Sequence, residues 1–210
     1  MKKLIFVVFL LLFSQLSFAE VMQARVSEIE STWMNVDEKE AQTERKNIFL
    51  QLVDDVTDVV VEFPGYAEPL ILKSAILLTL AEDAANYSSL GLVKQAKKLL
   101  QKAVGINPTA SEGSALVTLG VLYYKVPAWP IAFGDNAKAE EYLLQALKVN
   151  PQGVDTNYYY AEFLIEQGKA DEARPFLNKA IAIKIDPKHP AFIMKMKEQK
   201  KAYDALASIS

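Results

Sequence analysis

The sequence predicts an all-α fold built from antiparallel helix pairs stacked in an array. Apolar residues recur at helical spacing over most of the chain. The 210 residues hold only 8 glycines and 9 prolines, and these fall mostly between the periodic stretches. Small residues also recur in a fixed frame. Ala96, Leu100, Ala103 and Pro108 form one copy, Ala139, Leu143, Ala146 and Pro151 a second. Ala173, Leu177 and Ala180 form a third, with Pro187 two residues late. Each frame closes on a residue before proline, which is pushed out of the helical region.

The start of the chain stands apart from this pattern. Lys2 and Lys3 precede an uncharged apolar run over residues 4–13, and Ser17 and Ala19 give a small-x-small cleavage pattern. Residues 1–19 are therefore expected to be a secretory signal peptide cut after Ala19. The run is shorter than the roughly 20 residues a spanning helix needs, so no stable membrane insertion is expected after cleavage. Cleavage removes two lysines and no acid, moving the formal charge from −3 to −5. A mildly acidic chain is a poor match for nucleic acid or anionic lipid. The absence of cysteine excludes disulfides, thiolate chemistry, cysteine-bound metals and lipoprotein acylation. An exported chain without disulfides suits the bacterial periplasm.

Residues 21–63 contain no glycine or proline and read as two helices broken near residues 35–37. Ile29, Trp33 and Val36 share one stripe; Ile48, Leu52, Val53, Val56, Val59 and Val60 share the next. Phe63, Pro64 and Gly65 stop the second helix. Residues 68–86 form another amphipathic helix burying Leu70, Ile71, Ser74, Leu77, Leu78 and Ala81, and residues 87–91 read as a loop. Residues 191–209 predict a last amphipathic helix with Phe192, Met196, Tyr203 and Leu206 on one face and lysines on the others, a polar-faced cap for the array.

The stretch over residues 114–151 holds the most detailed pattern: Leu116, Leu119, Gly120 and Tyr123, then Ala139, Leu143, Ala146 and Pro151. This order resembles the tetratricopeptide repeat, with its W-x2-L-G-x2-Y, A-x3-F and closing proline. Leu116 replaces the Trp of that pattern and Leu143 the Phe. Ala139 and Ala173 stand one 34-residue period apart. The resemblance covers residues 92–187 directly and implies a superhelical array, with residues 20–91 as degenerate helices and residues 188–210 as the capping segment of a single domain. The small residues, Gly120 and Ala161 among them, are where paired helices approach closely, and Gly168 is the turn of the last unit. The middle unit is enlarged. Tyr123 and Ala139 are sixteen positions apart, where the repeat takes about nine, and the insertion is rich in proline and aromatics. This enlarged unit also resembles the repeat proteins that accompany periplasmic tripartite (TRAP-type) transporters, although the lipobox cysteine of that group is missing.

Such repeats are binding scaffolds, so the functional expectation is non-catalytic binding of a protein or peptide partner in the cell envelope, across a concave surface lined by the first helix of each pair. The candidate binding residues are Tyr124, Trp129, Phe133, Tyr158 and Tyr159. Pro127 and Pro130 stiffen the loop over residues 124–135, whose aromatics are expected to fold back near Tyr124 and Tyr159, as a lid or as the wall of a groove. The alternative is a small apolar ligand held under that loop. Asp135 is placed to cap the following helix. His189, the only histidine, reads as a surface loop residue. No cofactor or metal is expected. A hydrolase is the remote alternative: G-x-S-x-G, H-E-x-x-H and phosphate-loop patterns are all missing.

Overall fold

A computed structural model describes residues 2–37, 39–84, 89–189 and 191–209, with side chains from residue 18 onward, Ala84 excepted. Among these residues there are nine α-helices and no named strand. They are α1 (Lys2–Met34), α2 (Gln42–Glu62), α3 (Glu68–Ala84), α4 (Ser89–Ile106), α5 (Ser114–Lys125), α6 (Asn136–Val149), α7 (Val154–Glu166), α8 (Ala170–Ala182) and α9 (Phe192–Ser208). A short 3₁₀ turn, Ala110–Gly113, precedes α5. Neighbours in the chain pack as pairs, α3 on α4, α5 on α6 and α7 on α8, and α9 covers α7 and α8. This is the expected all-α superhelical array.

The repeated small residues set the spacing of the pairs. Ala96, Ala103, Ala139, Ala146, Ala173 and Ala180 are wholly buried, as are Leu100, Leu143 and Leu177 between them. Leu119, Tyr123 and Ala161 lie in the same core, while Pro151 stands exposed at its helix end. Gly120 marks the closest approach: a Cβ there would stand 2.5 Å from Leu143 Cγ and 3.3 Å from the Ala139 carbonyl oxygen. No larger residue fits without moving α5 away from α6. A second apolar cluster joins α1, α2 and α3 through Val26, Phe49, Leu52, Val56, Phe63 and Ile76. Ala19 lies inside α1, which runs on without a break, and the Phe18 ring packs on Phe63 at 4.5 Å. Among the described residues no helix is long and apolar enough to cross a membrane.

Helix ends follow local chemistry. Gly168, at φ +75°, closes α7: its amide bonds Ile165 O and the Lys169 amide bonds Leu164 O, both at 2.9 Å, which is the Schellman arrangement. Asp135 caps α6 by accepting from the Ala137 and Lys138 amides. Four expectations need correction. Ser89, Leu90 and Gly91 belong to α4, not to a loop; residues 85–88 lie outside the described set. α3 buries Leu72, Ile76 and Leu80 besides Leu70, Ser74, Leu77 and Ala81 of the expected stripe, while Ile71 and Leu78 are half-buried, because it is flanked by α2 on one side and α4 on the other. α8 ends at Ala182, before Asp186 and Pro187. Its terminal carbonyls are taken by a side chain of another helix: Gln199 Nε2 donates to Ala180 O, Ile181 O and Ile183 O at 3.1, 3.0 and 2.8 Å. Finally, α9 buries Ala202 and Glu198, leaving Met196 and Tyr203 exposed. The smallest residue decides which face of α9 approaches α7 and α8, as in the repeats before it.

Candidate functional site

Helices α1, α3, α5 and α7, with His189, Ala191 and the first half of α9, line a cavity of about 380 Å³. Val26 and Trp33 of α1 and Ile71 and Leu72 of α3 give it apolar walls. The Trp33 indole is pinned by a hydrogen bond to Thr79 Oγ1 at 3.1 Å. The rest of the lining mixes apolar Ala75, Ala191 and Met194 with neutral polar groups such as Ser114, and adds five acids, Glu30, Glu68, Glu112, Asp155 and Glu198, against two basic members, His189 and Lys195.

One of these acids is fully engaged. Ser111, Glu112 and Gly113 take φ values of 46°, 58° and 83° in succession. Left-handed backbone is unfavourable for Ser and Glu by roughly 1–2 kcal/mol each. The turn carries the Glu112 carboxylate to Lys195 Nζ at 2.7 Å, His189 Nε2 at 3.1 Å and Asn150 Nδ2 at 3.2 Å. Because the Ala191 amide donates to His189 Nδ1 at 3.0 Å, the ring's proton sits on Nε2 and points to Glu112. Burial works against the Glu112 charge, yet the bonds from Lys195 and His189 hold its carboxyl below the usual range. His189 thus lies in the turn the sequence suggests, half-buried, with its ring forming part of the cavity wall.

Among the described residues Glu198, Asp155 and Glu30 have no such side-chain donors, although backbone amides bond Asp155. Glu198 is 7% exposed. Burial, and then the Asp155 charge, push its carboxyl up to about 8, with Lys195 and Lys201 opposing. Burial also raises Asp155, where Lys195 opposes, and Glu30, where His189 opposes. The buried Ser114 Oγ and Asp155 Oδ1 have no hydrogen-bond partner. Among the described residues no three His, Asp or Glu side chains gather closely enough to hold a metal.

Of the expected aromatic strip, Tyr124, Tyr158 and Tyr159 come together on α5 and α7, with Tyr158 buried in the core and the other two half-buried. Glu162 of α7 accepts from the Tyr124 hydroxyl at 2.5 Å and the Tyr158 hydroxyl at 3.3 Å, and it pairs with Lys125 at 3.4 Å. Tyr159 packs on Tyr158 with ring centroids 4.9 Å apart. Burial, followed by Glu162, raises the Tyr124 and Tyr158 phenols, which therefore stay protonated donors; burial, followed by Glu198, raises Tyr159. Tyr160 points elsewhere, edge-on to Phe176.

Trp129 and Phe133 do not join the strip. The inserted loop closes on its own backbone: the Gly134 amide bonds Pro127 O at 2.9 Å, the Asp135 amide bonds Tyr123 O at 2.8 Å, and Ala128 pairs with Gly134. Closed this tightly, its tip stands away from the helices, with Trp129 85% exposed and Ile131 70% exposed. Phe133 folds back, but onto Tyr123, edge-on at 5.6 Å, with Lys97 Nζ 4.1 Å above its ring. The recess beside the loop, about 440 Å³, is lined by residues 123–128 and 134–136, so neither Trp129 nor Phe133 forms a roof over it.

Sequence reasoning missed Glu198, Asp155, Glu112 and Glu30. A signal was present for Glu198: it lies four residues before Ala202, on the small-residue face of α9. Its place in a lysine-rich helix masked it.

Comparison with known proteins gives the same architecture. Models of the tetratricopeptide repeat match residues 131–192 and 84–109. A thermophilic TPR protein of Thermus thermophilus is similar in fold, with a TM-score of 0.57 and 22% identity over 93% of this chain and 96% of that one. Two MamA crystal structures are also found. One has a TM-score of 0.43 and 20% identity over 82% and 92% of the two chains. The other has a TM-score of 0.42 and 22% identity over 87% and 86%. No curated protein matches. With three copies of the small-residue frame and helices packed in adjacent pairs, the chain carries tetratricopeptide repeats over the matched residues and has the fold of a tetratricopeptide-repeat array.

Proposed function

We propose that this chain is a non-catalytic scaffold of the bacterial periplasm, exported by a signal peptide cut after Ala19, that receives a protein or peptide partner on its concave face. One observation carries the reading: the concave cavity is walled by the first helices of the array and holds buried polar groups with no partner inside the chain. Unsatisfied buried polar atoms are unfavourable by about 1–3 kcal/mol each, and a binding partner that satisfies them recovers that energy. Tyr124 and Tyr159, half-buried near Glu162, extend the same surface with amphipathic side chains of the kind enriched at interfaces. The partner belongs to an envelope assembly, and a transporter complex is one such setting.

The test is capture from envelope extracts by the immobilised chain, in parallel with Ala75→Phe. Ala75 lines the cavity and is not fully buried, so the larger ring fills the space without displacing the core. A partner held by the parent and lost by Ala75→Phe is the expected result. No captured partner, or equal capture by both, rejects the concave face as the binding surface. Export is read separately: the protein recovered from its host should begin at Glu20, and one that retains Met1 rejects the signal peptide.

A further inference from the structure

Resting on the scaffold reading, we propose that the concave cavity is a lysine pocket: it takes the primary ammonium of a lysine side chain presented by the partner polypeptide. The central observation is Glu198. Its side chain lines the cavity, is 7% exposed, and forms no hydrogen bond or ion pair among the described residues. A carboxyl this buried is normally paired. Ser114 Oγ and Asp155 Oδ1, on the neighbouring wall, are likewise buried and unpartnered. Glu30 and Glu68 approach from α1 and α3.

The chemistry of the occupant follows by elimination. An anion would meet four carboxyl groups beyond the engaged Glu112. A neutral apolar ligand would leave Glu198 and Ser114 unsatisfied. Metal ions need a tighter set of ligands than any present among the described residues. A primary ammonium supplies three donors on a narrow head, and Val26, Trp33, Ile71 and Leu72 match the methylenes behind it. Lys195, the lining ammonium of the chain itself, does not fill the role. It is 14% exposed and bound to Glu112 at 2.7 Å.

Charge linkage gives a readout that a structural role alone would not produce. In the empty cavity Glu198 faces Asp155, Tyr158 and Tyr159 of α7, Lys195 and Lys201 of α9, and Glu30 and Glu68 across the space. Under these influences it holds its proton up to about pH 8. A bound ammonium stabilises the carboxylate and expels that proton. Affinity therefore rises with pH between about 6 and 8, by up to tenfold per unit for one proton released.

The experiment is calorimetric titration of the full chain with a terminally blocked Ala-Lys-Ala peptide, its Nε-acetyl-lysine counterpart and pentylamine, each in two buffers of different ionisation enthalpy. The lysine peptide should bind with proton release. The acetylated peptide, Glu198→Gln and Glu30→Gln should each weaken binding at least about tenfold, the range of one lost charge-assisted bond. Two glutamine variants on opposite walls guard against one failing to fold. Equal binding of lysine and acetyl-lysine peptides, unchanged binding by both variants, or no heat from any probe at about 10 mM overturns the proposal. Pentylamine binding more tightly than the peptide rejects a polypeptide source. A partner captured equally by the parent and Glu198→Gln, yet lost by Ala75→Phe, rejects the lysine pocket and leaves the scaffold reading standing.

Discussion

Gly120→Ala tests the close packing of α5 on α6. In a helix interior the exchange is normally favourable by about 0.8–1.0 kcal/mol. Here the added methyl would stand 2.5 Å from Leu143 Cγ and 2.8 Å from its Cδ2, about 1 Å inside the ordinary 3.5–4.0 Å carbon contact. Leu143 is wholly buried between Ala139 and Ala146 on its own helix, so it cannot swing into solvent, and the helices must part. Overpacking of this kind is destabilising by about 1–3 kcal/mol. The net loss is then about 1 kcal/mol, read as a melting point lower by about 2–4 °C for a chain of this size and as an earlier urea midpoint. Leu143→Ala alone should destabilise by about 2–5 kcal/mol. In that background Gly120→Ala should become neutral or stabilising, since the clashing atoms are gone, and a double-mutant cycle reports the coupling. If Gly120→Ala stabilises the parent, Leu143 yields freely and the close-approach argument fails.

Trp129→Ala should alter stability by less than about 0.5 kcal/mol, since Trp129 is 85% exposed; a melting shift of many degrees would mean the tip is buried in solution. Gly134→Ala should unmake the loop, because its Cβ would fall 2.0 Å from Val126 O. Faster proteolysis within residues 126–135, with α5 and α6 still protected from hydrogen exchange, is the expected signature. Glu198→Gln should stabilise the chain at neutral pH. The folded pKa of Glu198, about 8, exceeds its ordinary 4.5, so the folded state binds more protons and stability falls as pH rises from 4.5 to 8. The loss at pH 7 is on the order of 3 kcal/mol. The variant should match the parent near pH 4 and exceed it at pH 7; equal melting points at both would show that Glu198 ionises freely.

The fold was legible because packing distance is written in residue size. Ala139, Ala173 and Gly120 can be recognised one by one, and each acts on a neighbour only a turn or a helix away. The cavity was not legible for the complementary reason. Glu30 and Glu198 sit on helices that read as solvated, and they are brought together only by superhelical winding, which periodicity over a few turns does not reveal. Trp129 misled in the opposite direction: its apolar character suggested burial, but the loop's bonds to its own backbone decided its position. Exposed apolar side chains are common on folded surfaces.

The walls of the cavity come from the two ends of the array, Glu30 on α1 and His189 ahead of α9. Its width is therefore a running total of the small rotations between successive helix pairs. Slight unwinding at each pair would add up to a large separation at the mouth, much as a coil spring lengthens by a little at every turn. A molecule spanning α1 and α9 would tie the first turn of that spring to the last. It would stiffen pairs it never touches, including α5 and α6, and turn a compliant solenoid into a closed ring. Distance labels on α1 and α9 would then report occupancy as a narrowing of the end-to-end distribution.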